Sequence, residues 1–77
     1  MKGAIFLLSK LKKAREQANF SQYTIAKTLN IPRTTYASYE VGRNRLPFNL
    51  IVELKKILAI DDDNIFLSDT YNIMNEK

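Results

Sequence analysis

A chain of 77 residues has room for one hydrophobic core, and 45% hydrophobic residues are enough to build it. With no Cys and no His, disulfides, ordinary zinc sites and thiol or imidazole catalysis are excluded, leaving carboxylates as the chemistry open to an enzyme. The net charge of +4 is uneven: residues 1–58 hold eleven Lys/Arg against three acids, a balance of +8, while residues 59–77 hold one Lys against five acids, a balance of −4. A basic body with an acidic end fits a polyanionic partner for the body, although the same charges also suit plain solvated surfaces.

In chain order, the apolar run Ala4–Leu8 is too short for a signal core or a membrane span, so a cytoplasmic protein without membrane contact is expected. Apolar residues at helical spacing (Leu7, Leu11, Ala14, Ala18) predict a first helix from about Ile5 to Ala18, with no good cap before it and a short strand there as the alternative. Ser21 is a good N-cap for a second helix, flanked by Phe20 and Ile25 at the spacing of a hydrophobic staple, with Ile25, Ala26 and Leu29 facing inward. Asn30 tolerates the left-handed backbone that closes helices, Ile31 is biased to extended backbone by the following proline, and Pro32 suits the first position of a third helix. That helix is expected to run to about Val41, with Tyr36 and Tyr39 inside, and to stop at Gly42. Asn49 is the expected cap of a fourth helix over about Leu50–Leu58, whose core residues would be Leu50, Ile51, Leu54, Ile57 and Leu58. Asp61 is the expected cap of a short fifth helix with Ile65 and Phe66 turned inward. Residues 68–77 carry no strong signal and read as a tail after a domain over residues 1–67, disordered or in contact with a dimer partner.

Two short helices joined by about three residues have the spacing of a helix-turn-helix, here at about residues 22–41. From about Leu11 to Phe66, roughly fifty-six of the 77 residues, the chain resembles the Cro/phage-repressor type of helix-turn-helix, the xenobiotic-response-element family. The resemblance is carried by Leu11, Arg15, Ser21-Gln22, Ile25-Ala26, Leu29-Asn30-Ile31, Tyr36, Tyr39-Glu40, Gly42, Pro47, Leu58 and Ile60. Their joint order and spacing is specific where no single residue is. The sequence departs from the commoner pattern with Asn30 at the usual turn glycine and Pro32 at the usual small polar cap, and beyond Phe66 nothing aligns.

The resemblance implies an all-α fold, a five-helix lambda-repressor-like domain with its third helix in the major groove of double-stranded DNA. It implies Arg33, Thr34 and Ser38 as base-reading residues, projecting together from that helix. Arg33 is suited to a bidentate pair with guanine and Thr34 to a hydroxyl or methyl contact. Gln22 is implied as a phosphate contact that supports a base-reading side chain, with Thr35, Arg43, Asn44 and Arg45 along the sugar-phosphate backbone. Arg15 and Glu40 are implied as a structural ion pair tying the first helix to the end of the third.

On this reading the chain is a homodimeric regulator, most simply a repressor, on an inverted-repeat operator, and needs no cofactor or metal. The alternative is an antitoxin or other protein-interaction module that also binds its own promoter, with Leu67, Tyr71, Ile73 and Met74 of the tail docking on a partner. No enzymatic activity is expected: the one carboxylate cluster, Asp61-Asp62-Asp63, sits where a helix start favours acids and lacks the spacing and turn glycine of a calcium loop.

Overall fold

Four α-helices follow one another through residues 7–66, the part of the chain that the computed structural model describes. They are α1 (Ser9–Gln17), α2 (Gln22–Leu29), α3 (Arg33–Glu40) and α4 (Phe48–Leu58), followed by a 3-10 turn over Asp63–Phe66. There is no strand among the described residues. The fifth helix expected from Asp61 onward is therefore, within those residues, a single 3-10 turn. Asp62 rather than Asp61 supports it, its Oδ1 accepting the Asn64 N–H at 2.9 Å. The tail at 68–77, with the apolar residues expected to dock on a partner, and Ile5 and Phe6 of the expected first helix lie outside the described residues.

Each helix contributes one large, fully buried side chain to the core: Leu11 from α1, Ile25 from α2, Tyr36 from α3 and Leu54 from α4. Around them α2 packs on α3, and α1 packs on both α3 and the 3-10 turn, whose Ile65 is buried. The first helix begins later than its periodicity suggested. Leu8 is its cap residue (φ −109°, ψ 68°) and has no side chain with which to cap it. Its backbone N–H instead donates to the Glu40 carbonyl at 2.9 Å, joining the start of α1 to the end of α3. The inward stripe consequently runs through Leu8 and not Leu7, which is 39% exposed.

All four helices close in the same way, with paired backbone bonds around one left-handed residue. After α2, Ile31 N–H reaches the Ala26 carbonyl and Asn30 N–H the Lys27 carbonyl, with Asn30 at φ 63°. The matching left-handed residues are Asn19 after α1, Gly42 after α3 and Ala59 after α4. Asparagine and glycine tolerate that backbone, but a Cβ there is costly. Because Ala59 is exposed, Ala59→Gly is expected to raise stability by roughly 0.5–1 kcal/mol. A denaturation midpoint that is unchanged or lowered would show that no such cost exists at this residue.

The starts of the other three helices divide into two kinds. Ser21 caps α2, its Oγ accepting the Thr24 N–H at 3.0 Å. Helices α3 and α4 instead follow prolines, Pro32 (ψ 148°) and Pro47 (ψ 149°), each standing just outside its helix and offering no side-chain acceptor. Asn49 is accordingly an ordinary first-turn residue, and α4 begins two residues earlier than expected. Among the described residues no helix is long and apolar enough to cross a membrane.

Candidate nucleic-acid interface

The turn between α2 and α3 spans Asn30, Ile31 and Pro32, and its closing bonds aim the start of α3 outward. Arg33 and Thr34 are the first two residues of α3 and are exposed, while Thr35 is half-buried. Arg33 and Thr34 line a shallow groove of about 220 Å³ together with Ala37, Ser38, Val41 and Arg43. The first residues of α3 and Arg43 of the basic loop that follows it thus share one surface, while Asn44 and Arg45 line a separate cavity with Leu8, Tyr39 and Phe66.

That loop is folded back onto α3 by backbone and side chain together. Gly42 sits at φ 81°, where only glycine is unstrained, and lets the Arg43 and Asn44 N–H groups both reach the Ser38 carbonyl, at 2.9 and 3.3 Å. Ser38 itself corrects the sequence expectation. It is 8% exposed, its hydroxyl donates to the Thr35 carbonyl at 2.6 Å, and the same oxygen accepts from Asn44 Nδ2 at 3.0 Å. It sits at the floor of the groove and holds the loop; it does not project beside Arg33 and Thr34. The i,i+4 spacing placed Ser38 beneath Thr34, but the returning loop covers it. Arg43, Asn44 and Arg45 remain exposed on that loop.

Below this surface lies a buried polar cluster centred on Glu40, which is 2% exposed. Arg15 meets it with two N–H groups, Nε to Oε2 at 2.7 Å and Nη2 to Oε1 at 3.3 Å, while Nη1 donates to the Phe20 carbonyl at 2.8 Å. The Tyr36 hydroxyl donates to Glu40 Oε2 at 2.6 Å, and Gln22 Nε2 donates to Oε1 at 2.9 Å. From Gln22 the chain of bonds continues outward, because its Oε1 accepts from Arg33 Nη1 at 3.1 Å. Among the described residues no buried side-chain nitrogen or oxygen lacks a partner.

Electrostatics follow from this packing. Burial alone would raise the Glu40 carboxyl, but the hydrogen bonds from Arg15, Tyr36 and Gln22 outweigh it and hold the group below its ordinary range. The Arg15 guanidinium is raised, chiefly by its bond to Glu40. Burial, and then the bond to the carboxylate, pushes the Tyr36 phenol well above its usual value. Glu40 is therefore ionised at neutral pH, and Tyr36 and Arg15 remain donors.

Two features were not read from the sequence. One is Tyr36 as a ligand of Glu40, for which the i,i+4 spacing of the two residues on one helix was an available signal. The other is a second groove beside Arg33, about 440 Å³, lined by Tyr23, Ala26, Lys27, Asn30, Ile31 and Pro32 as well as Arg33. Tyr23 is 60% exposed there, with Lys27 Nζ 6.0 Å from its ring centre.

A capped short helix, a left-handed turn residue, and a second short helix with its first side chains exposed, with α4 packed on the first and α1 on the second, define a helix-turn-helix unit. The chain belongs to the helix-turn-helix family of the xenobiotic-response-element type, whose model matches residues 11–63. It is similar to the uncharacterized HTH-type transcriptional regulator YqaE of Bacillus subtilis (strain 168), with 30% identity over 67 residues, 87% of this chain and 54% of that protein. The chain thus spans about half the length of this curated relative. No solved structure matches it significantly.

Proposed function

We propose that this chain binds double-stranded DNA sequence-specifically as a small transcriptional regulator, acting as a homodimer on an inverted-repeat operator and most simply as a repressor. The observation that carries this reading is the shared surface of Arg33, Thr34 and Arg43: an arginine and a hydroxyl on an exposed helix start, beside a basic loop folded back next to them. A helix of this size fits the major groove, where arginine can pair bidentately with guanine and threonine can meet a thymine methyl or a base-edge acceptor. In this reading Arg33 and Thr34 read bases, and Gln22, Thr35, Arg43, Asn44 and Arg45 contact the sugar-phosphate backbone. Ser38 leaves the list of readers, since its hydroxyl is already engaged on both sides. The leading N–H groups of α4, uncapped after Pro47, add a favourable partial charge for a phosphate beside the loop.

Selection of binding sites from random duplex DNA tests the reading, because it reports binding, half-site symmetry and sequence preference together. Arg33→Ala is expected to lose discrimination at one base pair per half-site by about 1–3 kcal/mol. Unchanged preference between operator and random DNA in that variant removes Arg33 as a reader. A protein-interaction role is the second reading, supported by an apolar strip on α4 where Phe48 is 78% exposed and Val52, one turn on, 36% exposed. Size-exclusion chromatography and co-purification separate the two readings: a stable complex with an unrelated protein favours the second, and a dimer of this chain the first.

A further inference from the structure

We infer that Glu40 is a positioning residue for Arg33, acting through Gln22: the buried carboxylate fixes which end of the Gln22 amide faces outward, and thereby holds the guanidinium that reads DNA. The inference rests on the reading of Arg33 given above and adds a residue that does not itself reach the surface. Its argument is one of donors and acceptors. An ionised carboxylate can only accept, and the Glu40 carboxylate is surrounded by donors from Arg15 and Tyr36. The Gln22 side chain has a donor end and an acceptor end. With Nε2 against Glu40 Oε1 at 2.9 Å it makes a charge-assisted bond; turned over, it would set two acceptor oxygens against each other. The amide is thus locked with its oxygen outward, and that oxygen meets Arg33 Nη1 at 3.1 Å.

An acceptor presented at this place suits a side chain that only donates, which arginine is. Holding one N–H of a guanidinium that has about five leaves enough for a bidentate pair with guanine, which takes two. Arg33 is otherwise an exposed, long and rotamer-rich side chain, so tethering it before DNA arrives removes part of its ordering cost. The ion pair between α1 and α3 and the choice of base are in this way parts of one connected network.

The test uses the full chain, its selected operator, and operator variants altered at the base pair whose preference Arg33→Ala abolishes. Gln22→Met keeps length and packing but can neither donate to Glu40 nor take a proper hydrogen bond from Arg33. It is expected to reduce preference at that base pair roughly three- to tenfold, the size of ordering one side chain, with little change at other positions. Glu40→Gln, whose amide can meet either end of Gln22, is expected to show the same loss at the same base pair while keeping its helical circular dichroism. The inference is overturned if Gln22→Met weakens all duplexes equally, the behaviour of a phosphate contact alone, or if folded Glu40→Gln keeps the original preference. A measurement without DNA covers the case in which Glu40→Gln does not fold. In the NMR spectrum of the unaltered protein, the Gln22 side-chain amide hydrogens should be shifted and slow to exchange relative to those of exposed Gln17. Indistinguishable Gln22 and Gln17 amides also overturn it. If site selection yields no preferred sequence, the DNA reading fails on its own, and the NMR comparison still decides whether Glu40 holds Gln22.

Discussion

Replacing Glu40 with alanine is expected to destabilise the fold by about 3–5 kcal/mol, while Arg33→Ala stays within about 0.5 kcal/mol of the parent. The asymmetry comes from what each substitution leaves behind. Arg33 is exposed, and water replaces its one bond to Gln22. Without Glu40, Arg15 is a guanidinium only 7% exposed, keeping its bond to the Phe20 carbonyl, and the buried Tyr36 hydroxyl loses the acceptor 2.6 Å away. A buried charge left with only the exposed Glu16 carboxylate at 4.0 Å, and an orphaned hydroxyl, are among the few causes of losses this large. A domain of this length has on the order of 4–12 kcal/mol in total, so a quarter of it or more would go. Thermal or urea melts monitored by helical circular dichroism check the order; Arg33→Ala proving the more damaging would refute the placement of Glu40 at the centre of the fold.

The same carboxylate fixes the direction of an acid response. Its folded pKa lies below the ordinary value, so its contribution is fully present above the unfolded carboxyl range near about 4.3 and is lost as pH falls through the folded value. Stability of the unaltered protein should therefore decline on the acid side of that range. In Glu40→Gln, which has no proton to take up there, the decline should be shallower.

The sequence made the centre of the fold legible because its signals there are local. Ser21 caps α2 with its own side chain, while Asn30 takes the left-handed turn and Gly42 closes α3 through their own backbone preferences. What escaped depended on partners far along the chain. Leu8 replaced Leu7 on the inner face because α1, lacking a capping side chain, is set by a backbone bond to Glu40, thirty-two positions away. Ser38 became buried because the loop at 42–45 folds over it, which helix periodicity alone does not register. The start of α4 moved to Phe48 because Pro47, with its own backbone angle fixed, stands at the helix boundary in place of a polar cap. At the candidate interface, residue types and order were readable, but the chain of bonds from Arg15 through Glu40 and Gln22 to Arg33 needed coordinates. The first link joins α1 to α3, and the next two join α2 to α3.

Operator affinity is expected to fall about 10³- to 10⁵-fold between about 50 and 200 mM salt, the largest effect anticipated for this protein. The argument starts from charge: the first 58 residues carry a balance of +8, and the loop that flanks α3 places Arg43 and Arg45 on its exposed surface. With roughly three to five phosphate contacts per subunit, the proposed dimer would make about six to ten, and each neutralised phosphate contributes about 0.9 to the slope of log affinity against log salt. Backbone contacts and base contacts then separate experimentally. Arg43→Ala should weaken operator and random duplexes alike and lower the slope by about two per dimer, since one phosphate is released on each subunit. Arg33→Ala should leave most of the slope in place and remove preference instead. The acidic stretch from Asp61 works against any cationic role for the last described turn, where Lys55 is already paired with Asp63 at 2.7 Å. On the proposed reading, DNA contact is expected on the side bearing α3 and Arg43. A slope near zero, with affinity intact at high salt, would refute backbone contact by this loop and with it the docking that brings Arg33 to a base edge.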